Sequence, residues 1–188
     1  MINRGVSGWN TNNFLRYASS DDGKEDLFDH DNVKLVTIFF GANDACHAEL
    51  NKHVPLEMYK SNIMEIFKLV KSNFGQNVKI ILISPPPVCH EGRLKYQKNK
   101  YKDKATGVLE RTLELSGQYA AAVKEMANVM GIPFLDLWTT MQFTLEGEGR
   151  RDWSDFLSDG LHLSAKGNMF VGKSLVTLID EVVPDLLE

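Results

Sequence analysis

The sequence predicts an α/β fold: a parallel sheet covered by helices. Two observations predict it. The apolar runs at residues 33–40 and 78–83 are rich in β-branched and aromatic residues and lack polar alternation, the pattern of strands buried on both faces. Segments with helical spacing follow each run, so strand and helix alternate along the chain. A length of 188 residues suits one domain, residues 1–188, with a full core.

Taken in order, residues 1–10 hold the Gly-rich, polar run Asn3-Arg4-Gly5-Val6-Ser7-Gly8, read as a tight loop. Gly5-Val6-Ser7 matches the start of a GxSxG elbow, but Trp9 stands at the second Gly and no strand precedes it, which excludes that motif. Residues 11–17 predict a short helix and 19–32 an acidic, solvated connection. The first strand, 33–40, runs into Gly41-Ala42-Asn43-Asp44. Leu56, Tyr59, Ile63, Ile66, Phe67, Val70 and Phe74 recur at helical spacing, with Gly75 as the stop. The second strand, 78–83, is closed by Ser84-Pro85-Pro86-Pro87. Residues 88–107 carry Arg93, Lys95, Lys98, Lys100, Lys102 and Lys104 with Tyr96 and Tyr101 between them. In an acidic chain this reads as a mobile, solvated loop over a pocket rather than a nucleic-acid patch. Residues 108–130 predict a long helix that Gly131 stops and Pro133 bars from resuming. A third short strand is expected at 134–137, then a polar stretch through Arg150-Arg151. The last helix shows Val171, Leu175, Leu178, Ile179 and Val182 and ends near Pro184.

The hydrophobic and charged fractions, 43% and 24%, are those of an ordinary globular protein. A net charge of −4 argues against a chain built to coat nucleic acid. No apolar run is long enough to cross a bilayer, and the first residues lack the apolar core of a secretory signal. Cys46 and Cys89 read as free thiols in a reducing compartment, so a cytoplasmic setting is expected. His47 and His53 flank Glu49 at a spacing that fits no zinc pattern; they read as loop residues, and no metal is expected. There is no internal repeat and no Gly-rich phosphate loop.

In a parallel α/β sheet, ligands bind beyond the carboxyl ends of the strands. Gly41-Ala42-Asn43-Asp44 leaves such an end. Asn43 either closes the strand or presents a neutral amide donor to a developing oxyanion. Asp44 is placed to brace the loop through nearby N–H groups. Gly8 is a second candidate donor through its backbone N–H. Ser158-Asp159-Gly160-Leu161-His162-Leu163-Ser164 sets an acid and a histidine three apart on a turn, with Ser164 placed to cap the next helix. It is either a surface turn with an isolated His or a general base, His162, oriented by Asp159.

Three blocks occur in the order and context of the SGNH (GDSL-type) hydrolases: Asn3-x-Gly5-x-Ser7-Gly8, Gly41-Ala42-Asn43-Asp44 and Asp159-Gly160-Leu161-His162. Together with Thr37-Ile38-Phe39-Phe40 and Asp136-Leu137-Trp138-Thr139 they look like the isoamyl acetate-hydrolysing esterases. The resemblance spans essentially the whole chain. It implies a flavodoxin-like three-layer α/β/α fold and cofactor-free hydrolysis of a small-molecule carboxylic ester. It implies His162 as base, Asp159 as its partner, and Gly8 and Asn43 as oxyanion donors. Short-chain acyl or acetate esters are its first substrates; longer lipids and the oligomeric state stay open.

The same family carries its nucleophile in a Gly-Asp-Ser block after the first, central strand. No Gly-Asp-Ser occurs in these 188 residues. Trp153-Ser154-Asp155 and Leu157-Ser158-Asp159 follow no strand, and the family gives Ser7 no such role. The expectation is an N-terminally truncated domain without that strand, with two strands left with unpaired edges inside the sheet. About five lost apolar side chains at roughly 1.5–3 kcal/mol each rival a domain's stability of about 5–15 kcal/mol. Poor folding and little esterase activity are therefore expected. A pseudoenzyme that keeps the pocket as a binding module competes with this reading. A flavodoxin-like nucleotide binder is a third reading. Trp138, Phe143 and the Pro85-Pro86-Pro87 loop either line an acyl pocket or simply pack.

Overall fold

The computed structural model describes residues 1–147 and 153–186. Its centre is a parallel sheet in the order β1-β2-β3, with β1 Leu35–Phe39, β2 Lys79–Ile83 and β3 Phe134–Leu135. Helices α3 (Leu56–Phe74) and α5 (Leu113–Met130) cover one face, where Tyr59, Ile63, Ile66, Tyr119 and Val123 pack against Ile38, Ile80 and Leu82. Helices α6 (Leu137–Gly147) and α7 (Ala165–Val182) cover the other, against Ile81, Ile83 and Leu135. This is the expected three-layer α/β/α arrangement. β2 behaves as predicted: four of its five residues are buried, alternating between the two layers. The last helix starts where expected, with Ser164 Oγ accepting the Gly167 N–H at 3.1 Å.

Several expectations are corrected. β1 is not buried on both faces: only Ile38 is buried, and Phe39 is 41% exposed. The reason is position, because β1 is an outer strand. Nor are two strands left with unpaired edges inside the sheet. The described strands are contiguous, and the open edges belong to the two outer ones.

The connection at 19–32 contains α2 (Asp21–Phe28), next to α1 (Thr11–Ala18). Ser20 caps α2, Asp21 and Asp22 favour its positive end, and Leu27 is buried. The cationic loop at 88–107 is replaced by α4 (His90–Tyr101) and a 3-10 turn. Its buried residues are Arg93 and Gln97, one turn apart. The helix was invisible to apolar periodicity because its inward stripe is polar. Leu137, expected to end the third strand, instead opens α6; the Asp136 carboxylate accepts the Thr139 N–H at 3.0 Å, and Leu137 and Met141 are fully buried one turn apart. Arg150-Arg151 lies outside the described residues. α5 begins at Leu113, capped by Thr112, five residues later than predicted. Glu110 and Arg111 therefore stand in the segment ahead of it.

Ser84 ties the end of β2 to α6. Its buried hydroxyl accepts the Leu137 and Trp138 N–H groups at 2.8 and 3.1 Å. Ser84→Ala should leave both donors unsatisfied and cost about 1–3 kcal/mol, read as a lower denaturant midpoint at unchanged slope.

Candidate active site

The turn at 158–162 is closed by its own backbone. Leu157 and Leu163 form an antiparallel bridge, and the Ser158 N–H donates to the His162 carbonyl at 2.8 Å. Asp159 organises what lies between. Its Oδ1 accepts the Leu161 and His162 N–H groups at 3.0 and 2.8 Å. Its Oδ2 accepts the His162 Nδ1–H at 2.9 Å. A carboxylate has no proton to give, so Nδ1 carries the hydrogen and Nε2 keeps its lone pair. The Asp159 side chain is 9% exposed and that of His162 71%. The acid is thus enclosed while the ring faces outward. Burial pushes the Asp159 carboxyl up, but the bonds from the His162 backbone and ring and from the Leu161 N–H pull it further down. It lies below its ordinary value.

The same Oδ2 accepts a second donor, Arg93 Nη1 from α4, at 2.8 Å. The backbone joins there too, with the Cys89 N–H donating to the Gly160 carbonyl at 2.9 Å. Gly160 has φ +79°, and a Cβ on it would stand 2.3 Å from the Arg93 nitrogen and 2.6 Å from the Cys89 carbonyl oxygen. Turn and helix start therefore touch backbone to backbone.

The second cluster forms beyond β1. Asp44 is fully buried and braces the loop as its position implied. Oδ1 accepts the Thr11 N–H at 3.0 Å and also its hydroxyl; Oδ2 accepts the Gly41 N–H at 3.2 Å. Burial nevertheless pushes the Asp44 carboxyl up. Asn43 Nδ2 donates to the Trp9 carbonyl at 2.8 Å, and its Oδ1 accepts from Arg111 Nη2 at 2.8 Å. Its amide is held at both ends, and one Nδ2 hydrogen is left to point elsewhere. Gly8, next to Trp9 in the chain, has φ +79°, and a Cβ on it would stand 2.7 Å from Lys52 Nζ. Among the described residues no acceptor takes the Gly8 N–H.

The two clusters are joined by side chains that sequence reasoning missed. Glu110 Oε1 accepts Arg93 Nε at 2.7 Å and also Arg93 Nη2. It lies 3.6 Å from Arg111 Nη1. Gln97 Nε2 donates to its Oε2. Burial pushes the Glu110 carboxyl up, but the Arg93 hydrogen bonds, its own backbone N–H and the two guanidinium charges bring it below the ordinary value. The remaining candidates are spent elsewhere. Trp138 donates to Ser116 Oγ at 3.1 Å and packs on Gly117, Phe143 is 66% exposed, and the His53 ring is bonded to the Cys46 carbonyl. The three prolines are buried, with Pro85 against Gly41.

A sequence model of the GDSL-like lipase/acylhydrolase family matches residues 1–175. The chain belongs to that family. It is 38% identical over 184 residues to a GDSL esterase/lipase of Arabidopsis thaliana, covering 96% of this chain and 73% of the relative. It is 36% identical over 198 residues to the human isoamyl acetate-hydrolyzing esterase 1 homolog, covering 99% of this chain and 71% of the relative. Among solved structures, a lipase/acylhydrolase from Enterococcus faecalis superposes with a TM-score of 0.63 at 23% identity, covering 93% of this chain and 72% of that one. An acetylxylan esterase of Geobacillus stearothermophilus gives 0.63 at 20% identity, with 94% and 70% covered. These structures establish the SGNH-type fold. Within this GDSL-family fold, both clusters lie in loops that follow or face the carboxyl ends of the strands, where α/β sheets gather their ligands.

The carboxylates give the fold a pH dependence. Glu110 and Asp159 sit below their ordinary values in the fold, so the unfolded chain binds more protons as the pH falls. Their stabilisation is full above the unfolded carboxylate range, about pH 4–5, and drains away as the pH drops through the lower folded values. Asp44, shifted upward, acts in the opposite sense. In Glu110→Gln the stability measured by urea melts should be lower at neutral pH, and its fall between about pH 5 and 3 less steep.

Proposed function

We propose that this chain carries the working groups of a carboxylic ester hydrolase acting through a Ser-His-Asp mechanism. The observation that carries the reading is the Asp159 Oδ2 to His162 Nδ1 bond at 2.9 Å, which leaves Nε2 as a base. His162 Nε2 takes the proton of an attacking serine hydroxyl, and Asp159 stabilises the imidazolium that results. Asn43 Nδ2 and the Gly8 N–H donate to the oxyanion of the tetrahedral intermediate. The imidazolium then protonates the departing alkoxide. In the second half, His162 activates water against the acyl-enzyme, and the acid leaves. The relatives named for isoamyl acetate point to acetate and other short acyl esters as substrates. Lipid esters are a second class within the same chemistry. No cofactor enters these steps. The free thiols Cys46 and Cys89 favour a reducing, cytoplasmic setting.

No Gly-Asp-Ser run occurs in the 188 residues, so the reading places the base, its acid and the oxyanion donors here but not the attacking atom. A second reading keeps the same groups in a pseudoenzyme that binds esters without turning them over. Turnover of p-nitrophenyl acetate separates the two. The hydrolase reading predicts near-background rates for this chain and turnover when a Gly-Asp-Ser strand is supplied ahead of residue 1. The pseudoenzyme reading predicts ester binding and no turnover in either form.

A further inference from the structure

We propose that Glu110 is a shared anchor that couples the two halves of the site: through Arg93 it fixes Asp159 and His162, and through Arg111 it fixes Asn43. The inference rests on the functional reading above for its significance, but on geometry for its content. Each arginine ends on a site atom. Arg93 Nη1 donates to the Oδ2 of Asp159 that also receives the His162 ring. Arg111 Nη2 donates to Asn43 Oδ1, and Arg111 Nε to the Ala42 carbonyl, both at 2.8 Å. A flipped Asn43 amide would set its NH₂ against a guanidinium, so Arg111 decides which way the oxyanion donor faces.

Both arginines meet at one carboxylate: Arg93 hydrogen-bonds Glu110 Oε1, and Arg111 Nη1 stands 3.6 Å from the same oxygen as an ion pair. Arg93, Arg111, Glu110 and Asp159 have side-chain exposures of 8%, 12%, 20% and 9%. They hold two positive and two negative charges, balanced while His162 is neutral. Removing the Glu110 charge leaves two largely desolvated guanidiniums with only Asp159 to share. Like charges close together in low dielectric separate. Arg93 would turn wholly to Asp159 and compete with His162 for Oδ2, while Arg111 would move off Asn43. Gln97, buried and donating to the second Glu110 oxygen, holds the carboxylate in place for both. Arg93, Glu110 and Arg111 are thus positioning residues; none of them is assigned contact with the ester.

The test uses the 188-residue chain and nitrogen NMR, so it does not depend on turnover and its outcome is separable from that of the hydrolase reading. In the native chain the neutral His162 ring should sit in the Nδ1–H tautomer, and the Asn43 side-chain NH₂ should give one protected pair. Glu110→Gln should disturb both at once: a mixed tautomer at His162, and exchange at the Asn43 amide faster by about tenfold. Amides of residues 80–83 report that the core is intact. If either signal stays native in a folded Glu110→Gln chain, the two halves are held independently and the proposal is wrong. If Glu110→Gln does not fold, Arg93→Gln decides. Coupling predicts that the Asn43 amide moves as well as His162, and an unmoved Asn43 overturns the proposal.

Discussion

His162→Ala should leave ester turnover by the 188-residue chain almost unchanged and remove most of it from a form that bears a Gly-Asp-Ser strand ahead of residue 1. On the proposed mechanism His162 Nε2 is useful only when a hydroxyl is present to give up a proton; without it, only the proposed oxyanion donors would hold the ester carbonyl, and an imidazole 71% exposed would add little. With the hydroxyl supplied, base and nucleophile act as a unit, and deleting one member of such a unit costs roughly 10³- to 10⁶-fold in kcat. KM should change far less, because His162 acts chiefly in the transition state. Steady-state kinetics on both forms, each with and without the substitution, give the four rates required. Equal losses in the two forms would remove His162 from the proposed role.

Gly160→Ala should be the most damaging single methyl in the turn. The residue has φ +79°, and the added Cβ would lie 2.3 to 2.7 Å from three backbone atoms of residues 89, 92 and 93. Backbone atoms cannot swing aside as a side-chain tip does. Turn and α4 must part, which breaks the Cys89 to Gly160 bond and draws Asp159 away from Arg93. Positive-φ strain alone costs on the order of 1–3 kcal/mol, and a buried salt bridge broken on one side about 3–5 kcal/mol. The expected result is a lower urea midpoint together with loss of the fixed His162 tautomer. A neutral substitution at this position would mean that the turn does not rest on α4.

Much of the candidate site's geometry was legible because its contacts are local. Asp159 and His162 lie three residues apart on a turn that names itself by Asp-Gly, and Asn43 follows a strand whose apolar run is unmistakable. Helix α3 was readable to the residue, since its stripe is apolar and its stop is a glycine. What escaped was held by polar contacts between distant segments. α4 presents Arg93 and Gln97 inward, so a periodicity search tuned to apolar residues finds only a basic loop there. The partners that make Arg93 informative, Glu110 and Asp159, are 17 and 66 residues away. Glu110 and Arg111 were absorbed into a helix that in fact begins after them, at Leu113. α2 and α6 were lost for a simpler reason: α2 is an eight-residue, mostly polar helix, α6 opens where a strand was expected to end, and each declares itself mainly by its cap.

The most direct measurement is the rate of p-nitrophenyl acetate hydrolysis by residues 1–188 beside that of a form carrying a Gly-Asp-Ser strand ahead of them, with the serine of that strand replaced by Ala as the control. Near-background hydrolysis by residues 1–188, clear turnover by the form with the strand, and a return to background in its Ser→Ala control are expected. Full turnover by residues 1–188 alone, or turnover that survives loss of that serine, would contradict the proposed mechanism.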